Sequence, residues 1–244
     1  SIRRNSPRSF ALPSIVSIVR AMSSTSGTAL SAIAPATCSA GCGVCAPGVA
    51  EGVRGALAEL ERAGARIVGI EFPEAIAGQA EGMKGQVVEA EFLANMRAEL
   101  PEWLETLNPF LVGRLASLES SELLPSADYL ANLWAMRRLA VAADARLKTV
   151  DAFVCPTVVG TVPKEEDVRT PEAYIAANRL VHQNTYLINI LGLSAITMPI
   201  ALDKAGMPVG LQIVGRANRE ERLLTIARAC EKALGTGPER LGTP

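Results

Sequence analysis

Between Leu193 and Gly215 two apolar runs flank a single polar turn, Asp203-Lys204-Ala205-Gly206, and this constrains the fold more than any other feature of the chain. Leu193–Ile200 is apolar with a hard end at Pro199, and Val209–Val214 supplies a partner of the same character. Asp and Gly between two such runs are the residues of a turn that joins strands directly. The sequence therefore predicts two buried, paired strands near the C-terminus.

The rest of the body alternates helical and extended patterns around that pair. Val49, Val53, Ala56, Leu57, Leu60 and Ala63 mark one helical face, Gly64 follows as a stop, and Arg66–Ile70 reads as a short buried strand. Residues 74–118 read as helical, with a break near Pro101 and a boundary at Asn108-Pro109, because a residue before Pro avoids the helical region. Ser126 is the expected N-cap of a long helix over Ala127–Lys148, amphipathic through Leu130, Leu133, Trp134, Arg137 and Val141. Asp151–Thr157 reads as a strand ending in a Pro-stiffened loop, and Pro171–Asn184 as a helix. A last helix runs from Asn218 to Leu234, with Leu223, Ile226, Cys230 and Leu234 inward and Gly235 as its stop. The fold class is α/β, a mixed central sheet flanked by helices; the strands are too far apart for an all-parallel barrel.

Composition narrows the function. Apolar residues are 49% and charged residues 20%, enough to build a core and incompatible with a disordered chain. The formal net charge of −1 gives no pull toward nucleic acid or an anionic membrane, so neither is an expected partner. The stretch Ile188–Ile200 is broken by Asn189, Gly192 and Pro199, short of the roughly 18–20 apolar residues of a spanning helix, which predicts a soluble protein.

Residues 1–47 stand apart from residues 48–244. No acid occurs before Glu51, while Arg3, Arg4, Arg8 and Arg20 and many Ser residues precede it. This low-acid Ser/Arg/Ala-rich lead is expected to be disordered or a misassigned start, with organellar targeting as the other reading. Five Cys with wide spacing suit a reducing, cytoplasmic setting rather than a disulfide scaffold. Cys38, Cys42 and Cys45 have the C-x3-C-x2-C spacing of an iron–sulfur loop, but the residues downstream do not read as repeated βα units. The expectation is a loop, with no metal and no cofactor.

Three signals in fixed order, Asp151-Ala-Phe-Val-Cys-Pro156-Thr157, Thr185-x3-Asn189-x2-Gly192-x2-Ala195-x3-Pro199 and Met207-Pro208-Val-Gly210-Leu-Gln212-Ile-Val-Gly215, resemble the C-terminal portion of an amidase signature family enzyme. Gly64-Ala65-Arg66-Ile67-Val68 is similar to the element that follows the family's catalytic core, so the resemblance covers roughly residues 48–236. Ser194 stands where the family commonly has Pro, and Ala201 where Gly is usual nearby. The resemblance implies hydrolysis of a carbon–nitrogen amide bond of a small molecule, by a Ser nucleophile whose proton leaves through a cis-peptide Ser to a Lys. Those residues belong to the family's N-terminal half, so the fold is expected to be incomplete and the rest of it is an expected partner; a homodimer is another.

No catalytic residue is assigned in this chain. Lys84 is the first Lys, so no upstream base serves Ser23-Ser24, and Ser120-Ser121 sit in a Gly-free acidic context. His182 is the only His, and Gly-x-Ser-x-Gly does not occur. Cys155, Thr157 and His182 are the candidate substrate-binding residues, because loops at strand ends carry sites; Asn189 and Gln212 are expected to bond backbone. In the family's tRNA-dependent amidotransferases the corresponding polypeptide tends to carry an Asp in the place of His182, which favours a general amidase over an amidotransferase A-subunit. A non-catalytic remnant or interaction domain is the remaining alternative. The loop reading of Cys38, Cys42 and Cys45 predicts a colourless protein; brown colour with absorbance near roughly 400 nm and stoichiometric iron would overturn it.

Overall fold

A computed structural model describes residues 16–17, 33–35, 45–70, 72–84, 87–108, 111–112 and 125–242. In chain order the elements are β1 (Val16–Ser17), β2 (Ile33–Pro35), α1 (Val49–Arg62), β3 (Gly69–Ile70), α2 (Pro73–Lys84), α3 (Val87–Glu99), α4 (Ser126–Arg146), β4 (Ala152–Pro156), α5 (Pro171–Ile190), β5 (Ser194–Leu202), β6 (Pro208–Gly215), α6 (Glu220–Leu234) and α7 (Gly237–Leu241). The central sheet has the order β2-β4-β6-β5. β2 runs parallel to β4, whereas β4 and β5 both run antiparallel to β6, so the sheet is mixed as expected. β1, β2 and residues 45–47 fall within the 1–47 lead; the rest of it, with Ser23-Ser24, Cys38 and Cys42, lies outside the described residues, as do Ser120-Ser121.

The paired apolar runs become β5 and β6, in register from Ser194↔Gly215 to Leu202↔Pro208. Asp203 makes the turn between them rigid. Its Oδ1 accepts the N–H groups of Ala205 at 2.8 Å and Met207 at 2.9 Å, and its Oδ2 accepts the Thr161 hydroxyl at 2.8 Å. These bonds, that of the Met207 N–H first, hold the Asp203 carboxyl below the usual range. Gly206 takes a φ of +78°, which a side chain would resist.

Four expectations need correction. Pro199 does not end its strand: β5 continues to Leu202 with a register shift between Pro199 and Ala201. β5 is the sheet's edge, where a residue without an N–H does no harm if that side faces away from the partner. The helix begun at Pro171 runs on to Ile190, because Thr185–Ile190 offers no breaker until Gly192, whose φ is +60°. Arg66–Ile70 is not a buried strand of the central sheet. Only Gly69–Ile70 is extended, and it pairs with β1 in a separate two-stranded sheet.

The fourth correction concerns α4. The stripe Leu130, Trp134 and Val141 faces outward, at 44%, 54% and 72% exposure, while Asn132 and Ala143 are buried. The buried side is chosen by polar bonds: Asn132 Nδ2 donates to the Glu81 carbonyl at 2.8 Å, and Arg146 holds Glu74 with two bonds of 2.6 and 2.8 Å. Helix α4 thus docks on α2 through groups that apolar periodicity does not register.

Helices α1, α6 and α7 cover one face of the sheet. Val49, Val53, Ala56, Leu57 and Leu60 of α1 are buried as the helical spacing predicts, although Ala63 is exposed. Glu51 accepts the Gly48 N–H at 2.8 Å to close the first turn, and Gly64 (φ +99°) ends the helix. Gly52 lets α1 approach the sheet closely, since a Cβ there would lie 3.0 Å from the Ala201 methyl. Leu223, Ile226, Cys230 and Leu234 of α6 are buried as expected. Ser194 makes a contact that Pro would not: its hydroxyl donates to Glu220 Oε1 at 2.8 Å, at the start of α6. On the other side, Phe72 meets Phe153 of β4 edge-on, with ring centres 5.7 Å apart. Leu211 and Ile213 of β6 are fully buried, and truncating either to Ala is expected to cost roughly 2–5 kcal/mol.

Three forked ion pairs fasten these layers. Arg146 holds Glu74, Arg216 holds Asp144 at 3.1 and 2.8 Å, and Arg240 of α7 holds Glu59 of α1 at 2.6 and 3.0 Å. The Arg240 bond holds Glu59 below its ordinary 4.5, and the Arg216 bond holds Asp144 below 3.8. For Glu74 burial alone would raise the value, but the Arg146 bond prevails and the net shift is downward. A carboxyl with a lowered folded pKa stabilises the fold above its unfolded value and loses that contribution as pH falls through the folded one. The melting temperature is therefore expected to hold down to about pH 5 and then fall with acid. Replacing Arg240 with Met should lower the plateau and shrink the acid-dependent drop, as thermal melts across pH 3–7 will show.

Candidate functional site

The C-terminal end of β4 lies beside β6, and β6 beside β5, so their side chains form rows across the sheet. Cys155 is opposite Gln212, and Gln212 is opposite Thr197; Pro199 is opposite Gly210. Alternation places Cys155, Thr157, Thr197, Gly210 and Gln212 on the face opposite to that covered by α1 and α6. At β5 this face is open: Ala195 and Thr197 are exposed, whereas Met198 and Ile200 beneath α1 and α6 are buried.

Gly210 is the pivot of the site. The Thr157 and Thr197 hydroxyls meet above it in a short hydrogen bond, in which either oxygen can be the donor. A Cβ on Gly210 would lie 2.7 Å from both oxygens, so only Gly lets the two hydroxyls bridge across β6. The Thr157 N–H donates to the Gly210 carbonyl at 2.8 Å, which carries the pairing one residue past the end of β4. Asn184 of α5 donates its side-chain amide to the Pro156 carbonyl and pins the strand end from the helix side.

Cys155 lies beneath this surface. Its thiol donates to Gln212 Oε1 at 3.3 Å, and burial pushes its pKa up to about 12. A thiol so far from ionising is no nucleophile at neutral pH. Gln212 thus bonds a side chain rather than the backbone expected of it. Asn189 departs from expectation as well: its side chain is exposed, and its backbone carbonyl accepts the Gly192 N–H at 3.0 Å.

The structure joins Cys155 and Thr157 in one patch but does not bring His182 into it. His182 is exposed on α5, two residues before Asn184. Residues two apart on a helix point to different sides, so with Asn184 turned to β4 the imidazole is turned away. Thr197 and Gly210 are the site residues that sequence reasoning missed. A Thr alternating with Ala195 on an edge strand and a Gly inside a buried strand were the available signals. Among the described residues no group of three or more His, Cys, Asp and Glu side chains converges to hold a metal ion. No helix among them is long and apolar enough to cross a membrane.

Chemically, the patch offers two hydroxyls that can each donate or accept, on a rigid sheet, backed by a neutral thiol–amide pair. That suits a neutral polar group such as a carboxamide. It supplies no base and no nucleophile.

The amidase family model matches residues 37–224. The chain is 32% identical over 198 residues to a 2-amino-5-chloromuconic acid deaminase of Comamonas testosteroni, an alignment covering 81% of this chain and 42% of that protein. It is 37% identical over 90 residues to the A-subunit of the mitochondrial glutamyl-tRNA(Gln) amidotransferase of Xenopus laevis, covering 36% of this chain and 17% of the other. The fold is similar to that of allophanate hydrolase from Kluyveromyces lactis, with a TM-score of 0.69 at 20% identity over 86% of this chain and 33% of that one. The chain therefore spans less than half the length of these relatives.

Replacing Gly210 with Ala should lower stability by roughly 1–3 kcal/mol in urea titrations, the usual cost of overpacking. Removing both hydroxyls first, in a T157A/T197A background, should make the same change markedly cheaper.

Proposed function

The chain belongs to the amidase family, and on that premise we propose that it forms the substrate-side sheet of an enzyme that hydrolyses carbon–nitrogen amide bonds. The observation that carries this reading is the hydroxyl pair of Thr157 and Thr197 over Gly210, on the open face of a sheet whose opposite face is sealed by helices. Thr157 and Thr197 hydrogen-bond the carboxamide or the acyl chain next to it, and Cys155 and Gln212 hold the floor. In this reading the Ser nucleophile, the cis-peptide Ser and the Lys come from the rest of a longer protein, which the chain's span of 42% and 33% of two of its relatives supports. His182 stays in solvent and outside the contact set.

The amidotransferase A-subunit reading is the second, supported by the likeness to the Xenopus laevis protein. In either case the substrate is a small amide, and the compartment is the cytoplasm.

Ammonia release from small carboxamides tests the proposal. The 244-residue chain alone is expected to release none and to resist labelling by a sulfonyl fluoride. Joined to the remainder of its natural protein it is expected to gain both. In that active protein T157A should lower kcat/KM by about tenfold, the value of roughly one hydrogen bond to a polar group. H182A should change neither kcat nor KM. Serine-reagent-sensitive hydrolysis by the isolated chain, or loss of activity in H182A with T157A unaffected, would overturn this assignment.

A further inference from the structure

Thr157 stands one residue beyond the end of β4, and the sheet holds it from one side. The peptide joining Pro156 to Thr157 is trans, and a trans peptide points its N–H and its carbonyl in opposite directions. The Thr157 N–H points to β6, where it donates to the Gly210 carbonyl at 2.8 Å. The Pro156 carbonyl therefore points to the other edge of β4. On that edge the described pairing with β2 ends at Pro35 against Val154, two residues short of it. Asn184 of α5 supplies the donor in place of a neighbouring strand, through its side-chain amide. Pro156 is buried, so its carbonyl needs that partner. Without the amide the peptide would turn to find another.

Asn184 has a helper on the same helix. Leu180 lies four residues before it on α5, and residues four apart share one face. Gly160 comes so close that a Cβ there would lie 2.6 Å from Leu180 Cδ2. One face of α5 thus grips both ends of the segment 156–160. Within and beyond that segment, the Val159 carbonyl accepts the Ala46 N–H at 2.8 Å, and Thr161 is held by Asp203. The sheet register sets how far along β4 Thr157 lies. The Asn184 bond sets the rotation of its peptide, and with it the direction in which the hydroxyl is carried toward Thr197.

We infer that Asn184 is a positioning residue of the site, acting on the reaction only by aiming the Thr157 hydroxyl. The inference rests on the proposed role of Thr157 in holding the amide.

Kinetics of the active longer protein on a small carboxamide test it. N184A is expected to lower kcat/KM by about three- to tenfold, no further than T157A does. Made on T157A, the same change should cost less than about twofold more, since residues acting through one another are not additive. A side chain that only supports the fold would cost the same in both backgrounds. N184D keeps the size but sets a carboxylate against the Pro156 carbonyl. Protonated in acid, that carboxyl can donate again. The ratio of N184D to parental kcat/KM is therefore expected to rise at least about threefold from roughly pH 8 to pH 5.5. Should N184A fail to fold, this ratio decides alone. Equal losses in the two backgrounds, a ratio that stays flat, or parental kcat/KM in N184A beside an impaired T157A each overturns the inference. Parental kcat/KM in T157A overturns the proposed site itself, and the inference with it.

Discussion

Strand β6 is held on both edges and sealed on one face, and the rest of the structure depends on that confinement. β4 pairs with one edge and β5 with the other, both antiparallel. One row of β6 side chains, Val209, Leu211 and Ile213, is sealed beneath α1 and α6, each at 3% exposure or less. The other row, Gly210 and Gln212, contains one residue without a side chain and one whose amide is occupied by Cys155. A strand with one sealed apolar row cannot slip by one residue without moving that row to the wrong face. The register of the Thr157–Gly210–Thr197 cluster is therefore set by the core on the far side of the sheet. The hydroxyls need no loop of their own to be placed.

The extent to which the sequence announced this differs from element to element. Helices α1 and α6 were legible because their inner faces are purely apolar and their ends carry Gly64 and Gly235. The β5–β6 pair was legible from its turn, since Asp203 bonds its own backbone two and four residues on. α4 was misread for a physical reason: its buried face is chosen by Asn132 and Arg146, while its larger apolar residues remain outside. Pro199 was misread because the penalty for Pro in a strand depends on whether its N–H side faces a partner, and that is a fact of sheet order. The site was half legible. Cys155 and Thr157 follow from strand-end logic, but Thr197 and Gly210 acquire meaning only when three strands are set in register.

The forked ion pairs play a different part from the core. Each joins elements far apart in the chain: α1 to α7, α2 to α4, and α4 to the segment after β6. Partly exposed pairs of this kind add little net stability, but two-point geometry fixes direction as well as distance. Their contribution is to orient helices whose contacts alone would permit sliding. The buried carbonyl and amide bonds at Asn132 and Asn184 serve the same end closer to the sheet.

The proline in β5 has one further consequence, for how the sheet can grow. A bare edge normally recruits another strand, from the same chain or from a neighbour. On β5 the outward row lacks a donor at Pro199, and the register shift beside it bends the ladder out of line. An incoming strand would find its hydrogen bonds interrupted midway. β2, at the opposite margin, is short and parallel to β4. The chain's own last helix completes the closure: Arg240 of α7 donates to the Ile200 carbonyl at 2.9 Å beside Pro199, so the acceptor that a further strand would need there is already taken.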